Sequence, residues 1–245
     1  MSIQAMSYGL THVDPAHYNG WDGRDGCWGC VKDVERFTAV VLEAVQCGHH
    51  IRLLEEQATK RAYKDSLFAL AARATDPTVG LTILYGSGHG SNTPDLNGDE
   101  RDGFDETKCL FDGEIIDDAI WSILATFPPD HDIIMVSDTC ASGTPFRAGP
   151  PRPNNTLNQA EDMKANIIHM GGCHDAGSSE GERDGGVFTK ALCGIFANTS
   201  HLSNVELFAA TYRTVRAAGY TQRPSFSGAG PNPWKLWMKG AFKDE

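Results

Sequence analysis

The sequence predicts an α/β fold in which a mostly parallel central sheet carries helices on both faces. Short apolar runs alternate with longer amphipathic stretches along the 245 residues. Two of the apolar runs, 80–86 and 132–137, are nearly continuous, as is typical of parallel strands buried on both faces. The apolar content of 40% suffices for one sizeable core, so we expect a single domain over residues 1–245.

The apolar runs are predicted to form the strands of the sheet. They cover residues 2–9, 49–54, 80–86, 132–137 and 166–171. Apolar residues at i, i+3 and i+4 indicate the helices between them. The helices are marked by Val34, Phe37, Val40, Val41 and Ala44, by Leu67, Leu70 and Ala71, and by Ile116, Ile120 and Leu124, and two more are predicted over 186–198 and 204–218. Strands and helices therefore alternate as in βαβ units.

Two long connections interrupt this alternation, and each follows the carboxyl end of a predicted strand. Residues 87–114 are rich in Gly and Asp, and residues 143–165 contain a cluster of prolines. Long irregular segments in a compact domain are usually functional or disordered, and α/β proteins place their sites at the carboxyl ends of strands. We therefore expect the functional residues at this edge of the sheet.

The negative charge of the chain limits the classes of partner. With a formal net charge of -11, binding to nucleic acid or to an anionic membrane surface is disfavoured, because both are held mainly by Lys and Arg. No apolar run approaches the roughly 18 residues of a membrane span. We expect no nucleic-acid or membrane partner, and a cationic substrate or a divalent metal ion suits this composition better.

The cysteines and the first residues predict a cytoplasmic protein. Seven cysteines, an odd number, are scattered along the chain, which favours reduced thiols over disulfides. Cys27 and Cys30 have the spacing of zinc ligands but no second pair nearby, so we expect no zinc site there. The opening residues MSIQAMSYGLTH lack the basic head and apolar run of a signal peptide.

His89 and Cys140 form the candidate catalytic pair. His89 follows strand 80–86 in a Gly-rich segment, and Cys140 follows strand 132–137. If these strands are neighbours, the imidazole and the thiol face each other, and the imidazole accepts the thiol proton and later protonates a leaving amine. Considered alone, His89 could equally be a structural histidine, and Cys140 could equally be a small buried residue without a catalytic role.

Five segments match, in order, the motifs of one known family. They are GCWGCVKDVERF, LYGSGHGS, NGDERDGFDETKCLFDGEIIDDAIW, IIMVSDTCASGT and GGCHDAGSSEGERDGGVFTKAL. Together they resemble the metacaspases, the caspase-like cysteine peptidases of plants, fungi, protozoa and bacteria, and the similarity spans residues 2 to about 228. The resemblance implies a caspase-like three-layer sandwich and the hydrolysis of peptide bonds after Arg or Lys.

The resemblance also implies the site residues. His89 matches the catalytic histidine of the family and Cys140 its nucleophile. The pocket for the basic side chain of the substrate matches Asp33, Asp138, Cys30 and Ser87. Residue chemistry agrees at Asp138. Residues two apart in an extended segment project to the same side, so Asp138 is expected on the same side as Cys140, and a carboxylate there pairs well with a guanidinium. Asp33 alone also fits a surface acid near a helix N-terminus.

Calcium is the cofactor that the resemblance implies. The matching ligands are Asp105, Asp117 and Asp118, whose hard carboxylate oxygens suit Ca²⁺. Arg147 stands where the family has a further aspartate ligand. The guanidinium of Arg147 therefore replaces one ligand of the calcium site and is an alternative to Ca²⁺ as the positive charge in that site. The remaining acids of 95–102 also fit a solvated, turn-rich loop.

The resemblance divides the domain into a large-subunit-like half (1–142), a linker loop (143–165) and a small-subunit-like half (166–245), and it favours a monomer. Candidate self-cleavage sites in the linker are Arg147, Arg152 and Lys164. Three functions stay open: an active Arg/Lys-specific cysteine endopeptidase, an inactive caspase-like binding or regulatory module, and a related peptidase that cleaves after Asp or Asn. The two pocket acids disfavour the third.

Overall fold

A computed structural model of the chain describes residues 1–24, 27–94, 104–139, 163–173, 181–182, 184–199 and 201–243. Cys140, Arg147 and Arg152 lie outside the described residues, as does most of the predicted linker, so what the sequence implies for them stays a prediction. Among the described helices, none has the length and apolar character needed to cross a membrane.

The centre of the fold is an eight-stranded sheet. In chain order the strands of the protein are β1 (Ser2–Gly9), β2 (His49–Leu54), β3 (Val79–Pro94), β4 (Phe104–Leu110), β5 (Gly113–Ile116), β6 (Asp132–Thr139), β7 (Asn166–Gly171), β8 (Gly181–Glu182), β9 (Gly185–Gly186) and β10 (Ser225–Ala229). The main path runs β10-β7-β6-β3-β1-β2, and every pair along it is parallel except β7 with β10. The two strands with continuous apolar sequences, β3 and β6, are therefore central, as predicted.

Helices cover both faces of this sheet. They are α1 (Cys30–Phe37), α2 (Lys60–Arg73), α3 (Asp117–Leu124), α4 (Val187–Asn198), α5 (Asn204–Ala217) and α6 (Pro233–Met238). One buried cluster joins α2 and α3 to the sheet through residues such as Leu67 and Trp121. A second joins α1, α4 and α5 through Val34, Phe188 and Leu207. This is the predicted α/β arrangement of three layers.

The segment 87–114 is more regular than its Gly and Asp content predicts. β3 continues to Pro94 and pairs with antiparallel β4, which in turn pairs with β5. The low strand propensity of Gly and Asp is only a weak preference. In this segment, hydrogen bonding of the backbone to a neighbouring strand outweighs it. The prediction of an irregular loop is therefore wrong for the described part of this segment. The short elements β10 and α6 were not predicted either.

Phe37 anchors α1 to the central sheet and to the C-terminal segment. Its ring stacks on Tyr85 of β3, with ring centroids 4.2 Å apart and an interplanar angle of 15°. The ring also meets the edge of Phe242 at 5.6 Å. Since α1 carries Asp33, this aromatic contact sets the position of one predicted site residue against β3.

We expect Phe37→Ala to lower the free energy of unfolding by about 3–5 kcal/mol, because a fully buried ring is removed and a cavity remains. Urea unfolding followed by fluorescence measures the change. The matched control is Phe68→Ala, since Phe68 lies in α2 with 49% of its surface exposed, and its loss should cost less than about 1 kcal/mol. Equal losses for the two variants would contradict the packing described for Phe37.

Candidate active site

The carboxyl end of β6 lies beside the middle of β3, which continues to Pro94. Their parallel register pairs Ser87 with Asp138 and Gly88 with Thr139. β6 ends at Thr139, the residue before Cys140, which itself lies outside the described residues. β3, which carries His89, and β6, which ends one residue before Cys140 in the sequence, are thus neighbours, as a dyad requires.

A backbone carbonyl orients the imidazole of His89. Its Nε2 lies 3.3 Å from the carbonyl oxygen of Thr11. A carbonyl oxygen only accepts, so in the neutral ring Nε2 carries the proton and Nδ1 carries the lone pair. The side chain is buried, with 7% exposure. Nδ1 is therefore the nitrogen that acts as the base in this tautomer.

Asp33 turns its carboxylate from the first turn of α1 toward the end of β3. Ser87 Oγ donates to Asp33 Oδ2 at 2.9 Å, and the amide of Gly186 donates to the same oxygen at 2.8 Å. The guanidinium of Arg36 pairs with Oδ1 at 3.1 Å. Asp33 is almost fully buried, so it is not the surface acid that its position in the sequence alone allows.

Asp138 lies against the start of α4. Its Oδ2 accepts the amide of Thr189 at 3.0 Å and the hydroxyl of the same residue at 2.8 Å. Amides in the first turn of a helix have no partner within the helix, and the helix dipole is positive there. A carboxylate at this place satisfies a donor and is stabilised in its charged form.

The two buried carboxylates interact electrostatically. Burial, and after it the negative charge of Asp138, raise the pKa of Asp33 to about 7. The hydrogen bonds from Gly186 and Ser87 and the charge of Arg36 oppose this shift but do not cancel it. The pair therefore forms a site of negative potential that favours a cation.

The segment 184–186 covers both acids. Gly185 has a φ of +133°, and a Cβ there would overlap the carboxylate of Asp33. A Cβ on Gly186 would overlap the carboxylate of Asp138. Arg36 Nη2 donates to the carbonyl of Asp184 at 2.9 Å, which ties this segment to α1. Glycine at both positions is what lets the backbone approach so closely.

Cys30 is in a different chemical state from the one predicted. It is buried at the first position of α1, and its sulfur is joined to Cys27 in a disulfide. The prediction of reduced thiols is wrong for this pair, because the three-residue spacing and the turn into α1 bring the two sulfur atoms together. Among the described residues, the free thiols are Cys47, Cys109, Cys173 and Cys193. Burial raises the pKa of Cys193 to about 12, so this thiol is unreactive.

The predicted calcium ligands share one electrostatic environment. Asp117 and Asp118 open α3, directly after β5, and Asp105 lies on β4, which pairs with β5. Burial, and after it the negative charges of Glu106, Asp118 and Asp105, raise the pKa of Asp117 to about 7, although the amide of Asp118 opposes the shift. As the side chains stand, no three acidic, His or Cys residues of the described chain converge tightly enough to hold a metal ion.

Lys108 is a cationic neighbour of this acidic group. Burial lowers its pKa to about 8, and the charge of Asp117 opposes that shift. Glu106 and Lys108 lie two residues apart on β4 and therefore project to the same side of the strand. The acids of this group repel one another, and an added cation would relieve the repulsion.

Comparison with known proteins identifies the family. The caspase domain family matches residues 13–231. The chain belongs to the caspase domain family. It is 27% identical over 193 residues to metacaspase-1 of Schizosaccharomyces pombe, an alignment that covers 71% of the chain and 45% of the relative. It is 24% identical over 279 residues to metacaspase-1 of Scheffersomyces stipitis, covering 85% and 68%. The resemblance to metacaspases is confirmed.

Solved structures agree on the fold of this caspase domain. The crystal structure of a Geobacter sulfurreducens protein superposes with a TM-score of 0.79 at 28% sequence identity, covering 99% of both chains. Caspase-1 of Spodoptera frugiperda gives a TM-score of 0.59 at 12% identity, covering 93% of the chain and 86% of the insect protein. The caspase-like three-layer fold predicted from the sequence is thereby confirmed.

Several neighbours of the predicted site residues in this caspase domain were missed. The two acids are bound or covered by Thr189, Gly185, Gly186 and Arg36. The imidazole is bound by the carbonyl of Thr11. The adjacent glycines before an amphipathic helix were a usable signal of close backbone approach. Thr11 acts through its carbonyl, so no side-chain pattern could have revealed it.

We expect Asp117→Asn to stabilise the calcium-free protein at high pH. The folded state holds a proton on Asp117 up to about pH 7, whereas the unfolded chain releases it near pH 3.9, so charging this group lowers stability as the pH rises through that window. The gain should be about 2 kcal/mol at pH 8 and near zero at about pH 3.5.

Urea unfolding of the wild type and the variant in chelator, at both pH values, measures this difference. Asp65→Asn serves as the control, because Asp65 is an exposed acid of α2 that pairs only with Arg61 in the described structure. A stability gain from Asp117→Asn that is the same at both pH values would show that Asp117 is not held in a repulsive environment.

Proposed function

We propose that this caspase domain is a cysteine endopeptidase that hydrolyses peptide bonds after Arg or Lys. The observation that carries the proposal is the buried pair Asp33 and Asp138, which meets Ser87 two residues before His89 on the same strand. A cationic side chain held by the acids would bring the following peptide bond to the imidazole. Protein or peptide substrates with Arg or Lys at the cleaved bond are therefore the expected partners.

The reaction divides between His89 and Cys140. Nδ1 of His89 takes the proton of the Cys140 thiol, and the thiolate attacks the carbonyl carbon of the scissile bond. The imidazolium then gives that proton to the leaving amine as the C–N bond breaks, which leaves a thioester on Cys140. Water, deprotonated by the same nitrogen, attacks the thioester and releases the acid product and the thiol. The Thr11 carbonyl keeps the ring in the tautomer that both steps need.

In the free protein, the guanidinium of Arg36 occupies the position beside Asp33 that the cation of the substrate would take. Its guanidinium pairs with Asp33 and bonds the Asp184 carbonyl, and both pocket acids are covered in this arrangement. An incoming guanidinium of Arg or ammonium of Lys makes the same charge-assisted contacts. Substrate binding then exchanges one cation for another, so the acids are never left buried without a positive partner.

Calcium and self-cleavage belong to the same proposal. Asp105, Asp117 and Asp118 would hold Ca²⁺ through carboxylate oxygens, and the ion would supply positive charge that relieves the repulsion around Asp117. Lys164 is a candidate cleavage site within the described residues, and Arg147 and Arg152 are candidates outside them. The chain covers less than half of the fission yeast relative, so the setting in which it works, including a cytoplasmic location and a monomeric state, stays a prediction.

Peptide hydrolysis tests the proposed reaction. Fluorogenic peptides ending in Arg, Lys, Asp or Asn are compared, with and without Ca²⁺. We expect cleavage after Arg and Lys only, abolished in Cys140→Ala and reduced by at least about 10²-fold in His89→Ala. Asp33→Asn should raise KM for the basic peptides by about tenfold or more, since a charge-assisted contact is lost.

Glu35→Gln is the matched control for the pocket, because Glu35 is an exposed acid on the same helix as Asp33. Its KM should equal that of the wild type. Cleavage after Asp or Asn would point to the alternative specificity. No hydrolysis of any peptide, with Cys140→Ala indistinguishable from the wild type, would show a caspase domain that binds without catalysis.

The raised pKa of Asp33 predicts a pH dependence of substrate affinity. Below about pH 7 this carboxyl is protonated in the free enzyme and attracts a cation less, so KM for an Arg peptide should rise as the pH falls. Steady-state kinetics between about pH 5.5 and 9 separate KM from kcat. In Asp33→Asn the change of KM with pH should largely disappear, whereas a KM profile unaltered by the substitution would assign the titration to another group.

A further inference from the structure

A cavity lies directly beyond His89 on β3. Its volume is about 410 Å³, which is within the range of small-ligand pockets. The residues that line it are His17, Tyr18, Asn19, Trp21, Gly90, Ser91, Cys109 and Glu114. Gly90 and Ser91 continue the strand from His89, and Cys109 is the residue of β4 paired with His89. The cavity therefore adjoins the imidazole of the proposed active site.

The loop that forms the outer wall of the cavity is held in place by its own hydrogen bonds. The amide of Trp21 donates to the carbonyl of Tyr18 at 3.0 Å, and Val13 donates to Asp22 at 3.0 Å across the base of the loop. Asp14 donates its amide to Phe111 at 2.9 Å, which fixes the loop to the turn between β4 and β5. The wall is thus formed before any ligand arrives.

Trp21 joins this wall to the imidazole. Its ring meets that of His89 edge to face, with centroids 4.9 Å apart. Gly23, at a φ of +78°, lets the same loop pass the ring, since a Cβ there would come within 2.8 Å of His89 Nε2. The ring of Trp21 thus both lines the cavity and contacts the imidazole of His89.

The order of residues along β3 places the cavity relative to the cleaved bond. Ser87 contacts the acid pair, His89 follows it, and Gly90 and Ser91 reach the cavity. With a rise of about 3.3 Å per residue, the acids and the cavity lie on opposite sides of the imidazole. A side chain held by the acids belongs to the residue before the scissile bond. The cavity then faces the residue after that bond, whose amine His89 protonates.

The chemistry of the lining favours a basic side chain. Tyr18 and Trp21 contribute aromatic rings to the lining, and aromatic rings attract an ammonium or guanidinium group. Glu114 supplies a carboxylate, and its Oε2 is oriented by a 2.6 Å hydrogen bond from Thr107 Oγ1. Lys and Arg are absent from the lining residues of the described chain. Aromatic rings beside one acid are a suitable receptor for the cation of Lys or Arg.

We infer that this cavity is a second specificity subsite, which takes the Lys or Arg side chain that follows the scissile bond, so that the enzyme prefers pairs of basic residues. The inference rests on the proposed function and deepens it. Glu114 and Trp21 are its specificity-determining residues, and neither is assigned to the chemical step.

The experiment uses internally quenched peptides with Arg fixed before the scissile bond. The next residue is Lys, Arg, Ser, Phe or Asp, and kcat/KM is measured for each with the full chain. We expect Lys and Arg to exceed Ser by about five- to tenfold, with Asp the poorest. Glu114→Gln, which keeps the acceptor for Thr107, should bring the ratio of Lys to Ser to within about twofold.

Glu43→Gln is the control, because Glu43 is an exposed acid beyond the helical segment that follows α1, outside the lining of the cavity. It should leave the ratio as in the wild type. Equal rates for Lys, Ser and Asp, a preference for Phe, or an unchanged ratio in Glu114→Gln would overturn the subsite while leaving cleavage after Arg intact. No cleavage of any peptide would overturn the proposed function itself, and the subsite with it.

Discussion

The parallel pairing of β3 with β6 is the contact on which the rest of the site depends. It sets Ser87, in the middle of β3, beside Asp138, near the end of β6. Because both strands are central and apolar, their register is fixed by burial on both faces, and a shift by one residue would turn every side chain to the opposite face. His89 lies on β3, and Cys140 comes directly after β6 in the sequence, so the packing of these two strands bears on the position of both candidate residues.

Burying two carboxylates beside each other requires compensation, and the fold supplies it from a distant part of the chain. Gly186 and Asp33 are separated by 153 residues, yet the amide of one binds the carboxylate of the other. The start of α4 provides donors and a positive helix dipole for Asp138, and Arg36 provides a charge for Asp33. Without these groups the acids would take up protons and lose their attraction for a cation. Under the proposed function, the same compensation would let the pocket exchange its internal cation for that of a substrate.

The acidic group near α3 differs from the pair of Asp33 and Asp138 in how its negative charge is compensated. There, further carboxylates raise the pKa of Asp117, and among the described residues the amide of Asp118 and the charge of Lys108 act in favour of its charged form. Such an arrangement is unfavourable when metal-free and gains from any added positive charge. The two acidic regions thus differ in electrostatic state: Arg36 pairs with Asp33 in the first, whereas in the second neighbouring carboxylates help to raise the pKa of Asp117.

The sequence by itself determined the layered fold, the central strands and the family. Apolar periodicity is local, and it is strong wherever a strand is buried on both faces or a helix on one. The ordered motifs also pointed to His89, Asp33 and Asp138 as parts of one site. What only the tertiary structure decided was which backbone groups and loops complete that site: the Thr11 carbonyl, the glycines over the acids, the Trp21 wall and the disulfide of Cys30. These contacts join residues far apart in the chain or act through the main chain, and neither is encoded in the spacing of side chains.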